Sequence, residues 1–235
     1  MPALPPPCHR VSAAPARPPR RLRGLGRALL VPMLVAALHA SAWDDERMAA
    51  AAQRLGPRAV GELQGLRPAL VQASELAEAD RLHYVNDFFN RRIRFRDDLP
   101  VWGQVDYWAS PLEALSKGEG DCEDYAIAKY FTLVAAGTPV ERLRLVYVRA
   151  QLRGQPGPQA HMVLAYYGTP DAEPLILDNL VGEVRPAARR PDLVPVFSFN
   201  GEGLWQGVGS QSAGDPVARL SRWREVLAKA RAEGF

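Results

Sequence analysis

A single cysteine lies among three acids in the segment GDCEDYAIAKY, residues 120–130. Apolar side chains recur after it at helical spacing, which predicts a helix that begins at Cys122 and ends before Gly137. Asp121 is placed to cap that helix. A cysteine in the first turn of a helix meets unpaired backbone N–H groups and the positive end of the helix dipole, and both lower the pKa of the thiol. Cys122 is therefore a candidate nucleophile.

A nucleophilic thiol needs a base, and residues 43–235 contain two histidines, His83 and His161. His161 opens the strand-like segment HMVLAYY, whereas His83 falls within a helical pattern where a solvent-facing or packing role is ordinary. Asp178 lies near the end of the next strand-like segment, so it can accept the imidazole N–H if the two strands are neighbours. The hypothesis is a Cys122–His161–Asp178 triad. The alternative is that His161 is a surface or packing residue and Asp178 a turn former.

Residues 1–42 differ in composition from the rest of the chain. They contain six arginines and no acids, with the apolar run ALLVPMLVAAL at residues 28–38 and an A-x-A sequence that ends at Ala42. This order is typical of a secretory signal peptide, and we predict cleavage after Ala42. The alternative is an uncleaved anchor, but a run of about 11 apolar residues interrupted by Pro32 is shorter than the roughly 20 that span a bilayer. We therefore expect an exported protein with no stable membrane insertion after cleavage.

The predicted cleavage changes the charge and the cysteine content. Of 29 basic and 26 acidic residues, six basic ones leave with residues 1–42, so 23 basic and 26 acidic residues remain, a net charge of −3. The basic isoelectric point thus belongs to the signal segment and does not indicate nucleic-acid binding. Cys8 leaves too, which makes Cys122 the one cysteine of the mature chain. Exported proteins usually pair their cysteines, so an unpaired one indicates a reactive thiol, with an inert buried cysteine as the alternative.

Helices are predicted on the amino-terminal side of Cys122. Apolar residues at helical spacing in residues 43–96 predict two or three helices. Residues 97–110 have no clean period and predict an ordered loop that lines a site. Ser110 followed by proline begins a further helix, which Gly118 ends.

Strands are predicted on the carboxyl-terminal side of Cys122. Strand-like segments lie at residues 143–150, 161–167 and 174–180, with connections rich in glycine, proline and polar residues that favour antiparallel pairing. Residues 190–205 predict one further strand, and residues 221–232 a closing amphipathic helix. The whole pattern predicts an α+β fold in a single domain after the signal peptide.

The run WGQVDYWASPLEALSKGEGDCEDYAIAKY, with AHMVLAYY, PLILDNL and RPDLVPVFSFNGEGLW, closely resembles the bacterial transglutaminase-like cysteine proteinases. The resemblance covers about residues 81–205. It implies a papain-like or transglutaminase-like core, in which N-terminal helices pack on an antiparallel sheet and the catalytic cysteine begins a helix. It also implies a Cys–His–Asp triad, which falls on Cys122, His161 and Asp178.

The resemblance implies calcium dependence as well, with carboxylates beside the cysteine as ligands. Asp121 and Glu123 match these positions, and Asp124 is a third candidate one helical step further on. Acids near a thiolate raise the pKa of the thiol by like-charge repulsion, whereas a bound Ca²⁺ would reverse the local field. The alternative is that these acids only interact with the helix dipole.

An acyl-transfer site also needs donors for the oxyanion. The backbone N–H of Cys122 is one candidate, and a side chain of Trp102, Gln104 or Trp108 is a candidate for another. Core packing is the alternative for the tryptophans. Aromatic residues within residues 101–110 are also candidates for docking a regulatory partner.

For the wider function, the resemblance implies a periplasmic protease that cuts the N-terminal region of a very large surface adhesin at a paired-alanine site. Cleavage releases the adhesin and disperses biofilm. An inner-membrane receptor that senses cyclic di-GMP would sequester the protease. Two alternatives remain open: a transglutaminase or amidase that acts on glutamine side chains or cell-wall peptides, and a calcium-tuned binding module with a vestigial thiol.

Overall fold

The computed structural model describes residues 43–152, 154–209 and 211–235. The predicted signal peptide, residues 1–42, lies outside the described residues. None of the helices within the described ranges is long and apolar enough to cross a membrane.

Helices precede and follow the strands of the main sheet along the described sequence. They are α1 (Asp45–Leu55), α2 (Pro57–Glu75), α3 (Glu78–Arg92), α4 (Asp98–Trp102), α5 (Pro111–Lys117), α6 (Cys122–Ala135), α7 (Pro216–Arg219) and α8 (Ser221–Glu233). At α5 the predicted boundaries are confirmed, since Ser110 and Glu113 form a capping box and Gly118 ends the helix with a φ of 63°. The predicted loop before α5 contains the short helix α4.

Seven strands form one antiparallel sheet. The strands are β3 (Leu143–Ala150), β4 (Gln159–Tyr166), β5 (Leu175–Leu177), β6 (Arg185–Pro186), β7 (Leu193–Phe199), β8 (Leu204–Gln206) and β9 (Ser212–Gly214), in the order β6-β5-β4-β3-β7-β8-β9. β5 is shorter than the predicted 174–180 because the Asp178 side chain accepts a hydrogen bond from the backbone N–H of Leu180 and turns the chain.

A second pairing fixes the chain just before the cysteine. Strands β1 (Arg94–Phe95) and β2 (Glu119–Gly120) pair in parallel, which ties the end of α3 to the start of α6. Gly120 is required at this point, since a side chain there would place its Cβ 2.5 Å from Oδ2 of Asp124. The chain thus enters α6 on a fixed path.

The expectation that Asp121 caps α6 is wrong. Asp121 occupies the N-cap position, but its side chain accepts no capping hydrogen bond. Its carboxylate instead lies within 4.8 Å of carboxylate oxygens of Asp98 and Asp124. The side chain therefore belongs to an acidic cluster rather than to the helix end.

Helix α6 is the centre of the packing. It is almost wholly buried between β3 and β4 on one side and helices α2, α3 and α5 on the others. The predicted α+β class, with helices packed on an antiparallel sheet and the cysteine at a helix start, is confirmed. Burial of α6 on all sides holds its first residue in place, which is what a reactive side chain at that position requires.

Candidate active site

A cleft of about 660 Å³ runs along the start of α6. Its walls come from the loop before α5, from β3, β4 and β7, and from the junction between α7 and α8. Cys122 and His161 both line it, and Trp108, Tyr147 and Phe197 give it an aromatic side. The rings of Tyr147 and Phe197 stack with centroids 5.2 Å apart. A cleft of this size accommodates a segment of extended peptide.

Cys122 is the first residue of α6, and its side chain is partly buried in the cleft. Its Sγ lies 3.1 Å from Oε2 of Glu123. Burial, followed by the charges of Glu123 and Asp121, raises the pKa of the Cys122 thiol far above its ordinary value, and the backbone N–H of Met162 lowers it only in part. Without a bound cation, the neighbouring acids therefore oppose thiolate formation.

His161 lies at the start of β4, with its side chain almost wholly buried. β4 and β5 are antiparallel neighbours, with Leu164 opposite Leu177, so the residue after β5 comes close to the beginning of β4. Nε2 of His161 lies 2.8 Å from Oδ1 of Asp178. A proton on Nε2 satisfies this contact and leaves Nδ1 free to accept one. The other histidine of the described residues, His83, is exposed on α3 and does not line the cleft.

Asp178 is surrounded by groups that favour its charged form. Its Oδ1 also accepts the backbone N–H of Leu180 at 3.1 Å, and Nη2 of Arg190 lies 2.7 Å from Oδ2. Burial by itself raises the pKa of Asp178, but the hydrogen bond and charge of His161, the Leu180 N–H and the charge of Arg190 together lower it to about 2. The carboxylate is therefore ionised at neutral pH.

An acidic cluster lies beside Cys122. Carboxylate oxygens of Asp98, Asp121 and Asp124 are within 4.8 Å of one another, and a second group joins Asp98, Asp106 and Glu123 at the same range. Burial, followed by mutual repulsion, raises the pKa of Asp121 to about 10. Burial likewise raises the pKa of Asp98 to about 6 and that of Asp124 well above its ordinary value. Arg222 pairs with Asp106 at 3.4 Å, but no cation of the described residues forms an ion pair with Asp98, Asp121 or Asp124, so the burial of these three carboxylates is not compensated by a direct cationic partner.

The donor atoms of this cluster fit a divalent cation with hard oxygen ligands. Oδ1 of Asp98, Oδ1 of Asp121 and Oδ2 of Asp124 are all buried and have no hydrogen-bond partner within the described residues. The remaining oxygens of two of them are fixed, because Asp98 accepts the backbone N–H of Tyr107 at 2.5 Å and Asp124 accepts that of Ala109 at 2.8 Å. Each of the three residues thus has a buried oxygen without a partner, and carboxylate oxygens of the three lie within 4.8 Å of one another, a donor set that suits Ca²⁺.

The three candidates for an oxyanion donor differ in position. Trp108 lines the cleft, but its Nε1 donates to Oδ1 of Asp106 at 3.0 Å. Trp102 and Gln104 do not line the cleft. The ring of Trp102 stacks on Tyr107 with centroids 4.3 Å apart, and Gln104 is exposed. Of the three, Trp108 is thus the one that lines the cleft, but its only side-chain N–H is bonded to Asp106, and the stacking of Trp102 favours the packing interpretation for that residue.

Two residues at the site were missed by the sequence reasoning. Asp98 begins α4 within the loop predicted to line the site, and its position in that loop was a signal that could have found it. Arg190 contacts Asp178 from outside the cleft, and its local sequence carries no such signal. Both act through contacts between segments that are distant along the chain.

A family model for the bacterial transglutaminase-like cysteine proteinases (Peptidase_C93) matches residues 65–205. A search among curated proteins finds no match.

Solved structures of Legionella pneumophila LapG are similar to this chain over most of its length. The EGTA-treated form is 39% identical with a TM-score of 0.68, and it is covered over 96% of its own chain and 79% of this one. The calcium-bound form is 38% identical with a TM-score of 0.66, and the corresponding coverages are 97% and 78%. Together with the family model, these similarities show that the chain belongs to the bacterial transglutaminase-like cysteine proteinases and is a cysteine protease.

Proposed function

We propose that this chain is a calcium-dependent endopeptidase in which Cys122 is the nucleophile, His161 the general base and Asp178 the residue that orients His161. The observation that carries the proposal is the contact of 2.8 Å between His161 and Asp178 at the cleft that Cys122 lines. Asp178 holds the imidazole in the tautomer with a proton on Nε2, so that Nδ1 can serve as the base.

The reaction follows from these roles. Nδ1 of His161 takes the proton of the Cys122 thiol, and Sγ attacks the carbonyl carbon of the scissile peptide bond. His161 then gives this proton to the leaving nitrogen as the C–N bond breaks, which leaves a thioester on Cys122. Water loses a proton to His161 and attacks the thioester, so that the acid product leaves and the thiol is restored. The backbone N–H of Cys122, at the start of α6, donates to the oxyanion.

Asp98, Asp121, Glu123 and Asp124 are the residues that would hold calcium. When bound, the ion supplies positive charge beside the thiol and thereby removes the acidic repulsion that opposes the thiolate. Asp98 belongs to the loop before α5 and the other three to the start of α6, so that binding would tie this loop to the helix that carries Cys122.

The proposed substrate is the N-terminal region of a large surface adhesin, cut in the periplasm after export of the protease. Its release would promote biofilm dispersal, and an inner-membrane receptor that responds to cyclic di-GMP would sequester the protease. The family resemblance supports these assignments. The open cleft is compatible with an extended segment of a protein substrate rather than a buried small molecule.

The test uses the exported protein and the purified N-terminal region of a large adhesin from the same organism. Cleavage is followed in Ca²⁺ and in excess EGTA, with Cys122→Ala in parallel. A single cut that needs both Ca²⁺ and Cys122 is the expected result. Incorporation of a primary amine without backbone cleavage would instead identify a transglutaminase. Partner binding without cleavage or a covalent acyl-enzyme would identify a binding module.

A further inference from the structure

Arg190 is an arginine buried outside the cleft, behind the triad. It follows the 3-10 helix Ala187–Arg189, precedes β7, and is only 3% exposed. Its backbone is held on both sides, because its N–H donates to the carbonyl oxygen of Ala187 at 2.9 Å and its own carbonyl oxygen accepts the N–H of Leu193 at 3.1 Å. An arginine is rarely buried to this extent unless its charge is paired.

The guanidinium bridges two aspartates. Nε donates to Oδ1 of Asp192 at 3.0 Å, and Nη2 donates to Oδ2 of the same carboxylate at 2.8 Å. Nη2 also lies 2.7 Å from Oδ2 of Asp178. The contact between Asp178 and His161 continues this series, so that an uninterrupted chain of charged groups runs from the partly exposed Asp192 to His161.

The two oxygens of Asp178 have different partners. Oδ1 accepts from His161 and from the backbone N–H of Leu180, whereas Oδ2 accepts no hydrogen bond within the described residues and is held by the ion pair with Arg190. Lys129 of α6 also acts on Asp178 through its charge, but its Nζ has no hydrogen-bond partner within the described residues. Without Arg190, a buried anionic oxygen would lose its direct partner, and rotation of the carboxylate would no longer be opposed on that side.

We propose that Arg190, anchored by Asp192, is a positioning residue of the catalytic site that fixes the Asp178 carboxylate and, through it, the orientation of His161. The inference rests on the proposed roles of His161 and Asp178. Arg190 does not line the substrate cleft, so its removal should lower kcat and leave KM within about twofold of the wild-type value.

The test compares four variants of the full-length chain, each purified after export in the presence of Ca²⁺. Arg190→Gln removes the charge, Arg190→Lys keeps the charge but not the planar fork, and Asp192→Asn removes the charge of the anchor. Arg185→Gln is the matched control, because Arg185 lies in the same region and pairs with Glu183 at 2.8 Å without contact to the triad. Cleavage of the adhesin region gives kcat and KM. The proton resonance of Nε2–H in His161, measured by NMR without substrate, reports its hydrogen bond to Asp178.

We expect Arg190→Gln to lower kcat roughly 10- to 100-fold, as is typical when the partner of a functional side chain is removed, and to shift or broaden the His161 resonance. Arg190→Lys and Asp192→Asn should have smaller effects in the same direction, and Arg185→Gln none. A folded Arg190→Gln protein with wild-type kcat and an unchanged resonance would overturn the inference. If this variant does not fold, wild-type behaviour of both Arg190→Lys and Asp192→Asn would overturn it. Turnover by Cys122→Ala would instead count against the proposed function itself.

Discussion

The two sides of the cleft have opposite charge balances. Around His161 and Asp178, each anionic oxygen faces a donor or a cation, and the pKa of Asp178 falls to about 2. Around Cys122, buried carboxylates face one another, and the pKa of Asp121 rises to about 10. The charges around Asp178 are therefore balanced within the chain itself, whereas the carboxylates beside Cys122 suit an added cation. This contrast is the physical basis of the proposed mechanism, in which His161 is the base and Ca²⁺ acts on the side of the nucleophile.

The largest expected effect on turnover comes from a substitution on the side of the cleft that holds His161 and Asp178, where the charges are paired. Asp178→Asn keeps the shape of the side chain but removes the negative charge and sets an amide NH₂ against either Arg190 or the Nε2 proton of His161, so kcat should fall about 100-fold or more. Cleavage of the adhesin region in saturating Ca²⁺ measures the loss. Asp171→Asn, an exposed position in the loop before β5, is the matched control and should retain full activity. Equal activity of the two variants would remove Asp178 from the mechanism.

A substitution in the acidic cluster beside Cys122 should stabilise the protein without calcium and weaken its binding of calcium. Asp98→Asn removes one buried negative charge, so in EGTA the variant should unfold at a higher temperature than the wild type because repulsion is relieved. In Ca²⁺ it should bind the ion roughly 10-fold or more weakly, since a ligand charge is lost.

Thermal unfolding and calcium titration by calorimetry measure both effects of Asp98→Asn. Asp97→Asn, the exposed neighbour in the sequence, controls for a general effect of charge on this loop. Lower stability of Asp98→Asn in EGTA would show that the cluster is not under repulsion.

The two sides of the cleft also differ in how far they could be predicted from the sequence. The start of α5 depends on its capping residues, and the helix at Cys122 on the helical spacing of its apolar residues. The contact between His161 and Asp178 depends on neighbouring antiparallel strands, and local patterns specify all three features. The acidic cluster brings Asp98 to the start of α6 through packing of a loop, and no local pattern determines where a loop packs. Sequence reasoning missed Arg190 for the same reason, since twelve positions along the chain separate it from Asp178.

The pH dependence of the free energy of unfolding should distinguish the acidic cluster from the His161–Asp178 side of the cleft without any mutation. The pKa of Asp98 is about 6 in the folded protein and about 3.9 when unfolded, so the folded state binds more protons between these values. The free energy of unfolding in EGTA should therefore increase as the pH falls from about 7 to about 4, by at most about 1.4 kcal/mol per pH unit for one proton. Ca²⁺ should suppress this increase.

Two other acids test the assignment of this pH dependence. Glu233, buried with a pKa raised to about 7, contributes in the same direction in both conditions, and Glu233→Gln removes that background. Asp178 has the opposite sign, because its stabilisation is lost as the pH falls from about 4 to about 2. Urea unfolding across this pH range measures all three contributions. Identical pH profiles of Glu233→Gln in Ca²⁺ and in EGTA would contradict a cation site at the cluster.

The smallest expected effect on turnover comes from a substitution at the exposed tip of the loop before α5, which also contains Asp98. Val105 is 85% exposed, whereas Trp102 and Trp108 pack partly against the core. If this loop docks the regulatory receptor, Val105→Glu should abolish receptor binding, because apolar interface anchors do not tolerate a charge. Val105 also lines the cleft, so a several-fold loss of cleavage is expected beside the loss of binding. Val208→Glu, at another exposed valine, is the matched control. Calorimetric titration with the periplasmic domain of the receptor measures binding, and wild-type affinity of Val105→Glu would place the receptor elsewhere. Loss of binding with no more than this several-fold loss of cleavage would place the receptor on this loop, beside the acidic cluster and away from His161 and Asp178.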